Sequence, residues 1–502
     1  MTTTTPHPAY GQLVQKCHEL SLIRSCNSAL HWDQETHMPP KALEYRSKQM
    51  AFLSGWAHQE FISDHFNGLL AKCEECDFPE NTDAGINVRR LRRDHDRQKK
   101  IPSSLVEEMS TASAHARAAW VEARAKKDFP LFLPHLEKLI VLSQRMADCL
   151  ATGENRYDTL LDEYEEGETS ARLSGVFDRF RAEMAPLLPE AFELSRAIPR
   201  ELLDGHYPVE AQKRFNREVA AAIGFDFEAG RIDTTAHPFC TELGPRDCRL
   251  TTRYDETNFL SSLYGVLHEA GHGLYNLGLR EDQYGLPMGS CSSLGIHESQ
   301  SRLWENHIGR TPEFWALWHE KAVHHFPDLK RHSAEQIARF VNRSEPSFIR
   351  VEADELTYDL HIILRFEIER RLIGGELAAR DLPGFWNEEF EKTFGLNVPD
   401  DAHGCLQDIH WSMGGFGYFP TYTLGNMNAA QLMRKAHLDH PHLPEELARG
   451  HYSSLLSWLR DKIHSQGRRF EPQALMQFAT GEETNAHYHV QRLKQKIALL
   501  KG

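Results

Sequence analysis

Apolar residues in this chain recur mostly at spacings of three and four, and alternating stretches are rare. That period belongs to amphipathic helices, so it confines the fold largely to helix packed on helix. Segments from Tyr10 to about Cys26, Pro40 to about Cys76, Asn81 to Lys127 with Pro102 as a boundary, and His135 to Leu150 are therefore expected to be helical. One region departs from the period. Between Ala229 and Tyr254 the run Cys248-Arg-Leu-Thr-Thr-Arg-Tyr254 is β-rich and partly alternating, which predicts a short strand, hairpin or small sheet. Three prolines, Pro189, Pro199 and Pro208, interrupt the helical pattern near Leu188 to Pro208 and predict a lobe boundary. The expectation is a mainly α chain, 1–502 as a single unit, with a helical N-terminal lobe over 1–200 and a second lobe over 201–502.

Composition removes several functions. The 502 residues carry 57 Lys and Arg against 72 Asp and Glu, a net charge of −15 that argues against neutralising the phosphates of nucleic acid. No apolar run reaches the roughly 18 residues of a membrane span. The N-terminus has neither a basic n-region nor an apolar h-region, so no secretory signal is expected. Nine scattered cysteines do not make a disulfide scaffold, and reduced thiols in the cytoplasm fit best. Cys73-Glu-Glu-Cys76 has no second Cys or His pair nearby and reads as two ordinary helix thiols. The basic run Asn87 to Lys100 reads as a solvated helix face.

The sharpest chemical feature is Leu267-His268-Glu269-Ala-Gly-His272-Gly273, an HExxH motif in a helical segment with Asp255 or Thr257 as its cap and Gly278 as its stop. Residues four apart on a helix differ by about 40° in azimuth and about 6 Å in height, so His268 and His272 can converge on one ion. Glu269 is turned about 100° from His268, beside the ion, where a base for a metal-bound water must stand. By contrast His319 and His324 are five apart, about 140° round the helix, and cannot share an ion.

A hydrolytic zinc site needs three protein ligands and an open fourth position. Glu298, in Gly295-Ile-His297-Glu298-Ser-Gln-Ser301, is the favoured third ligand at the start of another helical segment, reached through the Gly- and Ser-rich loop from Gly285 to Gly295. His297 competes for that role. A metzincin-type third histidine would lie about six residues past His272, where the chain has Gly278.

Several further motifs follow in order: His237-Pro-Phe239, Asp247-x-Arg249-x-Thr251, the HExxH itself, His297-Glu298-Ser-Gln300, Ile349-Arg350-x-x-Ala353-Asp354 and Gly404-x-x-Gln407-Asp408-x-His410-Trp411. The set resembles the carboxypeptidase Taq family of metallocarboxypeptidases, and Trp32-Asp33-Gln-Glu-Thr36-His-Met38-Pro39 looks like that family's opening. The resemblance covers most of the chain. It implies metal ligands at His268, His272 and Glu298 with Glu269 as general base, the assignment that the residues themselves reach. It also implies a homodimer, and Arg350 as the guanidinium that receives the free carboxylate of a peptide.

Asp354, four residues on, is expected to orient Arg350, with Arg249 as the second candidate for the carboxylate. His237 and the Asp247–Thr251 stretch resemble family elements that line or narrow the cleft. From Gly404 to Gly425 the chain joins polar donors, small residues and tyrosines, as a cleft wall does, so Gln407, His410, Tyr418 and Tyr422 are candidates for binding substrate or stabilising the transition state. Motifs spread from His237 to Tyr422 must converge on one ion, so the expected shape is a large two-lobed helical body around a deep cleft. The expected activity is metal-dependent release of C-terminal amino acids from peptides, with broad specificity and zinc as the metal, or cobalt in the same ligand set. The alternative is a zinc oligopeptidase, because related helical peptidases share the HExxH and its distant glutamate. An aminopeptidase fits less well, since no GxMEN-type anchor for an N-terminal amine is present.

Overall fold

A computed structural model describes residues 7–151, 153 and 155–501. The first third is helical: α1 (Pro8–Thr36), α2 (Leu43–Phe61), α3 (Asp64–Glu74), α4 (Asp83–Lys100), α5 (Ser103–Lys126), α6 (Leu133–Leu150), α7 (Arg156–Leu161), α8 (Ser170–Met184), α9 (Leu188–Arg196) and α10 (Val209–Ala222). Three strands follow, β1 (Gly230–Thr234), β2 (Cys240–Gly244) and β3 (Asp247–Thr252), and then α11 (Phe259–Asn276) and α12 (Leu294–Arg302). The rest is again helical: α13 (Pro312–His325), α14 (Ala334–Phe340), α15 (Tyr358–Gly374), α16 (Leu382–Phe394), α17 (Pro420–Asp439), α18 (Leu443–Ala448), α19 (Ser453–Lys462), α20 (Pro472–Thr480) and α21 (His487–Lys501). The expected mainly α class with one small sheet holds, as helices make up 69% of the structure.

The sheet is more than a hairpin. Its order is β1-β3-β2, with β3 parallel to β1 and antiparallel to β2. Cys248 and Leu250 are fully buried beside α11, so the sheet floors the HExxH helix. Two of the sequence motifs meet here: the Thr251 hydroxyl donates to the Phe239 carbonyl at 2.9 Å and accepts from the Phe239 N–H at 2.8 Å. The His237-Pro-Phe239 turn is thus tied to the end of β3.

The cores do not divide at residue 200. One apolar cluster runs from Leu203 through α10, α11, α13 and α14 and takes in α18 to α20. A second joins α5 to α9 with α15, α16 and α21, so residues 116–191 pack against the C-terminal half. A third holds α1 to α4 together. Pro189 and Pro208 begin helices rather than end a lobe: Pro189 occupies the first turn of α9 and Pro208 caps α10. Helix α17 bridges the two large clusters, with Leu424 and Met427 in one and Ala429, Leu432, Met433 and Ala436 in the other.

The basic run of α4 is not a solvated face. Arg90 pairs with Glu166 at 2.6 Å, Arg93 and Arg97 both reach Asp162, and Asp94 accepts from Arg468 near the C-terminal end of the chain. These pairs clamp α4 to the segment after α7 and to the loop before α20. Cys73 is buried in α3, while Cys76 lies 3.2 Å from His7 Nδ1. His319 Nε2 contacts the His332 carbonyl oxygen at 2.7 Å.

Helices α11 and α12 cross at Gly271, inside the HExxH. A Cβ there would stand 2.5 Å from the Gln300 carbonyl oxygen and 2.6 Å from Ser301 Cα, both backbone atoms that cannot move aside. Glycine inside a helix costs roughly 0.5–1 kcal/mol, a cost the close packing offsets. Gly271→Ala is expected to destabilise the protein by about 1–3 kcal/mol through this overpacking, lowering the thermal unfolding temperature. An unchanged transition would contradict the crossing described.

Candidate active site

The site grows from α11. Asn258 caps this helix, its side chain accepting from the Ser261 N–H at 3.3 Å; Asp255, an expected cap, instead accepts from the Thr257 N–H. Phe259, Leu263, Val266, Leu267, Ala270 and Leu274 form the buried stripe. This fixes the helix so that His268 and His272 emerge on the opposite side.

Helix α12 brings the third donor. Ser293 caps it at the Ile296 N–H, and the buried Glu165 carboxylate accepts from the Gly295 N–H, so an acid from the far core pins its first turn. Burial holds the Glu165 carboxyl up near 8. Glu298 Oε2 then lies 3.5 Å from His272 Nε2 and 3.7 Å from His268 Nε2. Three donors bonded at about 2.0–2.1 Å to one tetrahedral zinc stand about 3.4 Å apart, so the set fits such an ion. Among the described residues this is the one cluster of that kind.

Each donor is held from behind. Arg302 Nε donates to Glu298 Oε1 at 2.7 Å, which leaves Oε2 to the histidines. His268 Nδ1 donates to Glu305 Oε2 at 2.9 Å, so its Nε2 carries the lone pair. His272 Nδ1 lies 2.6 Å from His297 Nδ1, and His297 Nε2 lies 2.9 Å from Asn276 Oδ1. Because Asn276 Oδ1 only accepts, His297 donates through Nε2, accepts through Nδ1, and takes the His272 Nδ1 proton. His297, the rival ligand in the sequence, is therefore the partner that turns His272 Nε2 toward the cluster. Burial, then the neighbouring His272, keeps His297 neutral.

Glu269 is buried beside the cluster, and among the described residues no donor bonds its carboxylate. Burial raises its pKa, an effect that His268 and His272 oppose. Together these features suit a base that must take up a proton.

The opposite wall carries Arg350. Asp408, not the expected Asp354, orients it: Nε and Nη2 donate to Asp408 Oδ1 at 2.9 and 2.7 Å. Arg350 opens a short 3₁₀ turn rather than a long helix, so the four-residue spacing to Asp354 does not make a contact. Asp354 instead accepts from the Leu356 N–H and the Thr357 hydroxyl. Arg365 Nε donates to Asp408 Oδ2 at 2.6 Å, and Arg350 Nη1 donates to the Tyr358 hydroxyl at 2.9 Å. Two guanidinium groups thus share one carboxylate, which leaves one positive charge for a ligand. Burial raises the Asp408 pKa, but Arg350 and Arg365 outweigh it and keep the group ionised.

One cavity of about 1440 Å³ is lined by His268, Glu269, Glu298, Arg350, Tyr358 and Tyr422. Tyr422 hydroxyl sits 3.2 Å from His410 Nε2, and burial lowers the His410 pKa to about 4, leaving that ring neutral. Tyr418 packs edge-on against Tyr422 at 5.4 Å. The remaining candidates stand back from this lining. Gln407 is occupied in holding backbone, accepting from the Arg350 N–H and donating to the Phe348, His403 and Gly404 carbonyls. Arg249 is paired with Asp247 and stacked 4.2 Å from the Trp32 ring on α1. His237 is exposed, and only its neighbour Pro238 reaches the cavity.

A helical body with an HExxH helix, a carboxylate from the next helix and a half-compensated arginine across one cleft fits a metallopeptidase. The chain belongs to the carboxypeptidase Taq (M32) metallopeptidase family, whose profile matches residues 12–497. It is 40% identical to thermostable carboxypeptidase 1 of Thermus thermophilus over 99% of this chain and 100% of the relative, and 38% identical to carboxypeptidase 1 of Bacillus subtilis over 94% of each. The crystal structure of an M32 carboxypeptidase from Deinococcus radiodurans R1 superposes with a TM-score of 0.96 at 37% identity, covering 99% of this chain and 100% of that one. The chain is a metal-dependent carboxypeptidase.

The sequence reading missed Arg302, Glu305 and Tyr358. Arg302 and Glu305 lie four and seven residues past Glu298, a helical spacing that puts charged residues on the ligand face. Glu305 reaches His268 because the helix turns π-helical over Leu303–Ile308, a local winding that no spacing rule signals. Glu305→Gln is expected to weaken metal binding by about 10- to 100-fold in a chelator competition. Unchanged affinity would show that Glu305 does not hold His268.

Proposed function

We propose that the chain removes single amino acids from the free C-terminus of peptides with broad side-chain tolerance, using zinc held by His268, His272 and Glu298. The observation that carries this reading is the single cavity that exposes the three-donor cluster, Glu269 and the half-compensated Arg350 to one another. The donor set of two imidazoles and one carboxylate suits zinc, and cobalt can occupy the same set. When bound, zinc lowers the pKa of a water to near 7 and polarises a carbonyl.

The chain's own residues supply the rest. Arg350, held in a fixed plane by Asp408 and Tyr358, receives the terminal carboxylate, and the scissile carbonyl of the preceding residue then faces the donor cluster. Glu269 takes the proton of the attacking water and delivers it to the departing amine. Tyr422, steadied by His410, donates to the carbonyl oxygen as negative charge develops there. Gly425 leaves room for this arrangement, since any Cβ on it would collide with Glu298 Cγ.

No helix of the described residues is long and apolar enough to cross a membrane. All nine cysteines are free thiols, including Cys240 and Cys248 whose sulfurs lie 3.5 Å apart, which supports a reducing cytoplasm as the working compartment. The family resemblance supports a homodimer.

Glu269→Gln is expected to lower kcat by about 10²- to 10⁴-fold while the metal content stays at the wild-type level. Activity equal to wild type would remove Glu269 as the base. A peptide with a free C-terminal acid should be cleaved far faster than its C-terminal amide. Arg350→Ala should lower kcat/KM on the acid by about 10- to 150-fold, the equivalent of a charge-assisted hydrogen bond worth about 1.5–3 kcal/mol. Equal cleavage of acid and amide would instead favour the oligopeptidase.

A further inference from the structure

The last helix of the chain, α21, stands behind the catalytic cleft, and among the described residues none of it lines that cavity. Its residues Val490, Leu493 and Ile497 belong to the second core cluster, as the apolar stripe of a packed helix does. Three polar residues also turn toward the body of the protein: His489, Arg492 and Lys496, with His489 and Lys496 buried. Their spacing of three and then four residues puts them on one face of the helix.

Each of the three reaches a segment that carries a residue of the site. Lys496 Nζ donates to Glu355 Oε2 at 3.2 Å, a pair buried on both sides, five residues past Arg350 and three before Tyr358. Burial raises the Glu355 pKa, but Lys496 and then Arg492 outweigh it and bring it to about 2, so Glu355 is a carboxylate. His489 Nε2 lies 2.7 Å from Oδ2 of the buried Asp359, the residue after Tyr358. Through Oδ1 the same carboxylate accepts from the hydroxyl of Thr423, which follows Tyr422, and from the Asn426 amide, both at 2.8 Å. Arg492 Nη2 donates to the Asn306 carbonyl at 2.9 Å, one residue past Glu305, the partner of His268.

One helix face therefore grips the metal side of the cleft through the π-helical turn and the anion side through the start of α15. Replacing a buried ion pair by apolar residues of similar volume is often neutral or stabilising, so net stability alone does not account for Lys496 and Glu355. What the pair adds is a fixed distance between partners. Fixed spacing matters to this reaction, because a misplacement of about 1 Å between reacting groups can cost about 100-fold in rate.

We propose that His489, Arg492 and Lys496 are positioning residues that set the spacing between the donor cluster and the Arg350 wall, and so hold the cut one residue from the C-terminus. The inference rests on the reading of Arg350 as the receiver of the terminal carboxylate. Lys496 and His489 act on the anion side, and Arg492 acts on the metal side.

The test compares wild type, Lys496→Met/Glu355→Leu and Arg492→Met, each metal-loaded, on an N-blocked peptide acid and its C-terminal amide, with chelator competition and thermal unfolding alongside. The double variant removes both charges, so neither is left buried alone. Its preference for acid over amide should fall at least tenfold, through a higher KM for the acid, while metal affinity stays at the wild-type value. Arg492→Met, a change at a half-buried position, should do the reverse: metal affinity falls at least fivefold and the acid preference is kept. Should the double variant not fold, Arg492→Met alone carries the test. A folded double variant with the wild-type preference, or an Arg492→Met protein with wild-type metal affinity, would overturn the proposal, as would parallel loss of both properties in both variants. Those outcomes leave the Arg350 reading standing, whereas a wild type that cleaves acid and amide equally removes that reading and this inference with it.

Discussion

The structure depends first on how closely two helices approach. Helix α11 carries both histidines, and helix α12 carries the glutamate that completes the donor set. They can meet only because Gly271, between the two histidines, presents no side chain to the backbone at Gln300 and Ser301. A second contact without side chain, Gly425 of α17 against Glu298, fixes the glutamate from the other direction. The sheet under α11, the Glu165 pin on α12 and the bridging path of α17 through both large cores all serve to hold this crossing rigid.

Around that crossing the charges are arranged so that every donor is oriented but not neutralised. His268 and His272 each spend Nδ1 on a partner and keep Nε2 free, while Glu298 spends one oxygen on Arg302 and keeps the other. The same economy appears on the facing wall, where Asp408 orients two arginines and compensates only one. A cleft built this way has a place for a cation on one side and for an anion on the other. In the function proposed above a peptide terminus would span the two, with its scissile carbonyl at one and its carboxylate at the other.

What was legible in the sequence was local or motif-borne. The helical period, the HExxH and the candidate Glu298 needed only spacing along one or two elements, and the family motifs added Arg350. What was hidden was tertiary. Arg350 is held by Asp408, 58 positions away, rather than by Asp354 in its own motif, because the turn there is 3₁₀ and too short for a four-residue contact. The arginines of α4 look solvent-facing on a helical wheel, yet their partners come from Asp162, Glu166 and other distant acids. The prolines from Pro189 to Pro208 are helix starts, so they carry no information about where the cores divide. Motif membership also does not equal cleft membership: Gln407 and Arg249 belong to ordered motifs but act on backbone and on Trp32.

The central claim is that His268, His272 and Glu298 bind one ion while His297 and Glu305 stand behind it. Anomalous diffraction at the zinc edge from crystals of the zinc-loaded protein tests this directly. The account predicts a single strong peak about 2.0–2.1 Å from His268 Nε2, His272 Nε2 and a Glu298 carboxylate oxygen. A peak bonded to His297 in place of Glu298, or none between α11 and α12, would contradict it.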